Sequence, residues 1–139
     1  MALRRVNNLI KFRDARWTAF DTIECMVTLD ETGEEVPFNA TPDDPMDYGR
    51  ELFEMLSGPQ AAQVEVCTPE EKYTVFAGMA RAERNRLLKD TDWTQLPDVP
   101  ELLKNVFAVY RQELRDLPES EGFPFNVVFP TIPGGASRY

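Results

Sequence analysis

The sequence contains no histidine. That absence removes the side chain that most often serves as a general base near neutral pH and as a transition-metal ligand. Ser-His-Asp and Cys-His catalysis are excluded outright. Cysteine is nearly as scarce. Cys25 and Cys67 are far apart and share no C-x-x-C spacing, so they form neither a disulfide framework nor a redox motif, and they read as small apolar residues. No stretch approaches the roughly 18 consecutive apolar residues of a membrane span. The first residues carry charge but no continuous apolar region follows them, so a secretory leader is not expected.

Basic charge is also in short supply, with 15 Lys+Arg against 24 Asp+Glu and a net charge of -9. The deficit is concentrated: residues 1–70 carry 6 basic and 14 acidic side chains, residues 71–139 carry 9 and 10. An acidic body repels the phosphate backbone, so nucleic acid is not expected as a partner, and neither is a membrane. Glycine-rich phosphate loops are missing too, because Gly134-Gly135 stands alone without a Walker or dinucleotide fingerprint. The clustered acids Asp43, Asp44 and Asp47 lack the Asp-x-Asp-x-Asp-Gly pattern of a calcium loop. Helix capping accounts for Asp44 and Asp47. No metal, cofactor or catalytic residue is expected.

What is present suits a small soluble fold. A chain of 139 residues with 42% hydrophobic and 28% charged residues fits one domain, or two small subdomains. Residues 1–16 are basic, with Arg4, Arg5, Lys11, Arg13 and Arg16, and read as a loose arm or a short edge strand. Ile23, Cys25, Val27 and Leu29 share one parity while Thr22, Glu24 and Thr28 share the other, the period of a half-buried strand. Asp30-Glu31-Thr32-Gly33 is a turn, and Glu35 to Asn39 is expected to return as a strand. Pro37 within it marks an edge or a short strand. Asp44 as N-cap with Pro45 at the first position opens a helix that Gly58-Pro59 ends. Gln63 to Cys67 alternates again and predicts a third strand.

The second half changes character. Thr68-Pro69-Glu70-Glu71 is a capping box. It opens a helix to about Lys89, with Val75, Met79, Ala82, Leu87, Phe76, Ala80 and Leu88 expected on a broad apolar face. Asp92 to Pro97 reads as a tight, non-helical connector. Asp98 with Glu101 suggests a second capping box, followed by Leu103, Val106, Phe107, Tyr110, Leu114 and Leu117 at helical spacing. Pro118 ends this helix. Two capped helices with a short connector are expected to pack antiparallel. Phe123 to Pro133 reads as an extended, proline-bracketed apolar strip. The expected fold is α+β: a small N-terminal β-β-α-β unit over residues 1–67, then an antiparallel two-helix hairpin with an extended Pro-rich C-terminal strip over 68–139.

Candidate partner-binding residues come from the second half. Trp93 on the connector is a natural anchor for a partner, but a large aromatic gains more by folding back onto the helices, and that reading is favoured. Arg84 and Arg111, near Tyr110, would suit a clamp on a partner's carboxylate. The competing reading, intramolecular salt bridges that hold the helices in register, is favoured. Phe125 and Phe129 in the terminal strip suit strand addition to a partner or, equally, cover for this chain's own core.

Taken together, Arg81-x-x-Arg84-Asn85-x-Leu87-Leu88, Thr91-Asp92-Trp93-Thr94-Gln95-Leu96-Pro97-Asp98, Tyr110-Arg111-x-x-Leu114-Arg115-Asp116 and the closing Phe-Pro-x-Asn-Val-Val-Phe-Pro-Thr-x-Pro resemble the phage tail-assembly chaperone family, also known as tail-fibre assembly proteins. The resemblance covers roughly residues 78–133. Phe129 stands where the family often has Trp, which leaves Trp93 as the main tryptophan anchor. The resemblance implies a small, non-enzymatic phage protein in the bacterial host cytoplasm, an assembly chaperone or adaptor that binds a tail-fibre polypeptide. The alternative is a permanent structural subunit of the tail, fibre or baseplate, an oligomer in the virion. An enzyme, such as a small hydrolase, is a third and disfavoured class.

Overall fold

The computed structural model describes residues 2–135. The chain divides into two compact units, Met1–Lys72 and Tyr73–Tyr139. The class is α+β, with five strands in two small antiparallel sheets and three α-helices among the described residues.

The first unit opens with β1 (Arg5–Val6) and β2 (Leu9–Ile10), a two-stranded hairpin rather than a loose arm. Asn7 and Asn8 form its two-residue turn with φ of 53° and 66°. A primed hairpin turn needs positive φ at both central positions, and Asn tolerates it better than most residues. The four arginines of this segment are paired within the unit. Arg5 holds Glu51 through two hydrogen bonds of 2.6 and 2.7 Å. Arg4 pairs with Asp30, Arg13 with Asp14 and Glu35, and Arg16 with Glu24 and Glu71.

Strands β3 (Phe12–Trp17), β4 (Ile23–Thr28) and β5 (Glu35–Ala40) form an antiparallel meander in that order. The expected alternation of β4 holds from Ile23 to Val27, where Ile23, Cys25 and Val27 are buried and Glu24 is exposed, but Thr28, expected outside, is buried as well and Leu29 only half-buried. Asp14, at φ 54°, sits in a bulge where the register against β4 shifts between Arg13 and Arg16. Strand β5 is an edge, and the register shows why Pro37 is tolerated there. Leu29 N donates to Glu34 O, so hydrogen-bonded pairs alternate from Leu29–Glu34 through Val27–Val36 and Cys25–Phe38. Pro37 therefore lies opposite Met26 in a non-bonded pair. Its missing N–H faces the open edge, where it blunts pairing with another strand.

Helix α1 (Asp47–Ser57) buries Gly49, Leu52, Met55 and Leu56. With Ile10, Ala15, Ile23, Cys25, Val27 and Ala40 these residues form the core of the unit. Full burial of each large aliphatic side chain contributes about 1.5–3 kcal/mol. The helix starts later than the expected Asp44 cap. Asp44 Oδ1 instead accepts from Met46 N at 2.8 Å, ahead of the first turn. A Cβ at Gly49 would overlap the Asp44 carboxylate and displace it from this arrangement.

The third strand expected over Gln63–Cys67 does not form. Ala61–Gln63 is a short 3-10 turn, and Glu65 makes one parallel bridge to Arg16, with Trp17 N donating to Glu65 O and Glu65 N to Ala15 O, both near 2.8–2.9 Å. Val64 is buried in the core but Val66 is exposed, so the alternation buries one residue rather than a strand face. The unit is thus five strands followed by one helix, not β-β-α-β.

Helix α2 (Pro69–Asp90) begins with the expected capping box. Thr68 N donates to Glu71 Oε2 at 2.9 Å and Glu71 N to Thr68 Oγ1 at 3.2 Å. Its apolar face differs from expectation: Ala77 is buried, whereas Val75 and Met79 are exposed. Helix α3 (Glu101–Asp116) is preceded by Pro100 as N-cap, with no side-chain capping bond, so Asp98 does not cap it. A turn closed by Val99 N to Leu96 O places Asp98 before the helix. The segment after α3 is not one extended strip. Residues 117–119 form a 3-10 turn, 121–125 turn again, 127–132 carry no regular structure, and Pro133–Gly135 closes in a further turn.

Candidate partner-binding surface

The site residues all lie in the second unit. The connector is a 3-10 turn, Asp92–Gln95, rather than a non-helical link. Two threonines order it. Thr91 Oγ1 donates to the carbonyls of Leu87 and Leu88 at 2.9 and 3.2 Å, satisfying acceptors that the end of a helix leaves open. Thr94, fully buried, donates to Thr91 O at 2.6 Å. Both threonines stand in the motif that carries the resemblance, but the sequence reading assigns neither of them a role. The signal was the Thr-x-x-Thr spacing directly after a helical run.

Arg111 locks α3 onto this connector. It is 8% exposed. Its Nη1 donates to Leu88 O at 2.6 Å and to Thr91 Oγ1 at 2.8 Å, and its Nη2 to Asp92 Oδ1 at 2.8 Å. Its Nε is buried with no hydrogen-bond partner among the described residues. The guanidinium is directed into its own chain, at the negative end of α2, where a cation is favoured. Arg84 is half-buried, and its Nε and Nη2 donate to Asn85 Oδ1 at 3.1 and 3.0 Å. The structure does not bring Arg84 and Arg111 together on one ligand.

Tyr110 is buried beside Phe107 in an edge-on contact of 6.2 Å. Burial pushes its phenol above the ordinary value, the nearby Arg86 charge acts against this, and Glu83 and Asp90 add to it. Phe129 packs, with Val127 and Ile132, on the core of Phe107, Tyr110, Leu114 and Leu117. These positions serve the unit's own core.

Trp93 and Phe125 remain open to solvent. Trp93 rests on Phe107 at 6.1 Å yet is 37% exposed. Phe125 is 49% exposed and meets Tyr73 at 6.3 Å and Phe76 at 5.3 Å. Arg81 lies over the Phe123 ring at 5.3 Å. Aromatics held in place on one side and open on the other suit contact with a polypeptide, since they bury area while losing little side-chain entropy. The hydrogen-bond network beside Trp93 consists of a guanidinium, hydroxyls, carbonyls and one carboxylate. It holds geometry.

Residues 77–134 match the family model for phage tail assembly chaperone protein.

The matched segment lies within the second unit and contains Trp93, Arg84, Tyr110, Arg111, Phe125 and Phe129. The match makes this segment similar to phage tail assembly chaperone proteins. No curated protein and no solved structure matches the chain. Among the described residues, no helix is long and apolar enough to cross a membrane.

The sequence reading missed a further feature of this segment. Leu102, Val106 and Val109 on α3 are exposed, although Val106 and Leu103 were expected in the core stripe. Helix α3 carries more apolar positions than one face can bury. Phe107, Tyr110, Arg111 and Leu114 take the inner side, with the arginine at a place where apolar periodicity alone gives no signal.

Proposed function

We propose that the chain is a non-enzymatic chaperone or adaptor that binds a tail-fibre polypeptide of a tailed phage during assembly. The observation that carries this reading is the coincidence of the family match over residues 77–134 with a compact unit that leaves Trp93 and Phe125 half-open. In this reading Trp93 and Phe125 touch the partner. Arg84, Arg111, Tyr110 and Phe129 keep the surface beneath them in shape. The lack of histidine supports a binding role over catalysis.

The test is co-expression with the tail-fibre polypeptide of the same phage, followed by size-exclusion chromatography. A complex that Trp93→Ala and Phe125→Ala together weaken at least tenfold, with an unchanged circular dichroism spectrum, supports the proposal. Absence of any complex with the wild-type chain overturns it. Recovery of the chain in stoichiometric amounts from purified particles would instead favour a permanent structural subunit.

A further inference from the structure

Helix α3 has a basic side and, opposite it, an apolar side that ends in acidic residues. Lys104, Arg111 and Arg115 recur at spacings of seven and four, which places all three basic residues on one side. Leu102, Val106, Val109 and Glu113 recur at spacings of four, three and four on the opposite side. Leu102 is 79% exposed, Val106 44% and Val109 61%. The stripe leads at its C-terminal end into a shallow groove lined by Glu113, Asp116, Leu117, Val128 and Phe129. Val128 within it is 87% exposed.

The carboxylates at that end are placed against the helix field. The last turns of a helix carry partial negative charge, so Glu113 and Asp116 stand where an anion is disfavoured. Among the described residues, neither forms an ion pair with a basic side chain. Asp116 accepts from the neutral Gln112 amide at 3.0 Å. A cation brought in from outside would relieve this arrangement, and an apolar stripe beside it would be covered by the same ligand.

We propose that the outer side of α3 docks an amphipathic helical segment of the tail polypeptide, one with an apolar stripe of about three turns and a Lys or Arg over Glu113 and Asp116. The inference rests on the binding function proposed above and assigns it a second surface and a partner chemistry. Charge selects this occupant. A second copy of the chain, laid parallel, would set Glu113 and Asp116 against themselves. Laid antiparallel, it would set them against Asp98 and Glu101. An anionic lipid surface meets the same acidic rim and is repelled.

Two measurements on the full chain test the assignment. The first probe is a synthetic helical peptide with leucines at i, i+4 and i+7 and lysines at one end, compared with its glutamate twin. Amide shifts confined to residues 102–116 on titration with the lysine peptide, and absent with the glutamate peptide, are expected. Shifts spread over the acidic first 70 residues overturn the proposal. The second measurement compares the wild type with Leu102→Ser/Val109→Ser, two exposed positions whose change leaves the fold intact by circular dichroism. The variant is expected to lose at least tenfold in affinity for the lysine peptide and for the tail-fibre polypeptide. A variant that retains the tail complex overturns this inference and leaves the binding function standing. A dimer of the wild type that the variant abolishes identifies a second copy as the occupant and also overturns it.

Discussion

Arg111 Nη2 donates to Asp92 Oδ1 at 2.8 Å, but the two residues are unequal partners: the arginine side chain is 10% exposed and the aspartate 66%. The ion pair is therefore screened at one end, while the other donors of Arg111 serve Leu88 O and Thr91 Oγ1 inside the fold. Removing the arginine strands buried acceptors, whereas removing the carboxylate takes away a single partner that is itself mostly exposed. Arg111→Ala is expected to lower unfolding stability by about 2–4 kcal/mol. Asp92→Ala is expected to lower it by less than about 1 kcal/mol. Arg111→Lys recovers little, since a single ammonium lacks the planar fork. Urea denaturation of the three variants checks the order, and equal losses for Arg111→Ala and Asp92→Ala would contradict it.

Gly49 and Asp44 are expected to be coupled. A helix favours Ala over Gly by up to about 1 kcal/mol, yet a Cβ at Gly49 overlaps the Asp44 carboxylate and forces it away from Met46 N. Gly49→Ala is expected to destabilise by about 1 kcal/mol in the wild-type background and to stabilise by about 0.5 kcal/mol when Asp44 is also Ala. A double-mutant cycle reads the coupling directly. Additive effects would rule out the steric account.

The Arg5–Glu51 pair ties the first hairpin to α1 and gives it a pH dependence. The hydrogen bond from Arg5 is the main cause that holds the Glu51 carboxyl below its ordinary 4.5, partial desolvation opposes it, and the Arg5 charge adds to it. A lowered carboxyl pKa contributes stability that is present above 4.5 and lost as pH falls through the folded value. Protection of the Lys11 amide, which donates to Arg4 O at 2.8 Å, is expected to drop below pH 4.5 after correction for intrinsic exchange. Glu51→Gln should show lower protection at neutral pH and a flatter profile. A profile identical to the wild type would dissociate the hairpin from this pair.

The two cysteines should separate by reactivity. Cys25 is buried, and burial pushes its thiol from 9.0 to about 11. Cys67 is only partly buried. A thiol reagent at pH 8 is expected to modify Cys67 in the native protein and Cys25 only on unfolding. The raised Cys25 value stabilises the folded state fully below pH 9, and this contribution is lost as pH rises from 9 to about 11. Comparison of urea midpoints for wild type and Cys25→Ala across that window isolates it.

Where a local signal and its structural cause sit in the same few residues, the sequence was legible. Thr68-Pro69-Glu70-Glu71 places the start of α2, and the capping bonds form as the spacing demands. The alternation of Ile23, Cys25 and Val27 places β4 and its inner face. The Asn7-Asn8 pair was a readable hairpin signal overlooked beneath the basic charge of the segment. Where the signal was ambiguous, long-range partners decided. Gln63 to Cys67 alternates like a strand, but only Glu65 finds a neighbour in β3.

The candidate site divides along the same line. The sequence by itself determined that residues 77–134 carry a tail assembly chaperone pattern, that Thr68-Pro69 starts a long helix, and that histidine chemistry is excluded. Those properties depend on residue identity and near-neighbour spacing. Only the tertiary structure decided that Arg111 and Tyr110 face inward while Trp93, Phe125 and the Leu102–Val109 stripe stay open. Helix α3 carries apolar residues on both sides, so its periodicity does not choose a buried face. The choice comes from the hydrogen bonds of Arg111 to Leu88, Thr91 and Asp92, about 20 residues away in the chain.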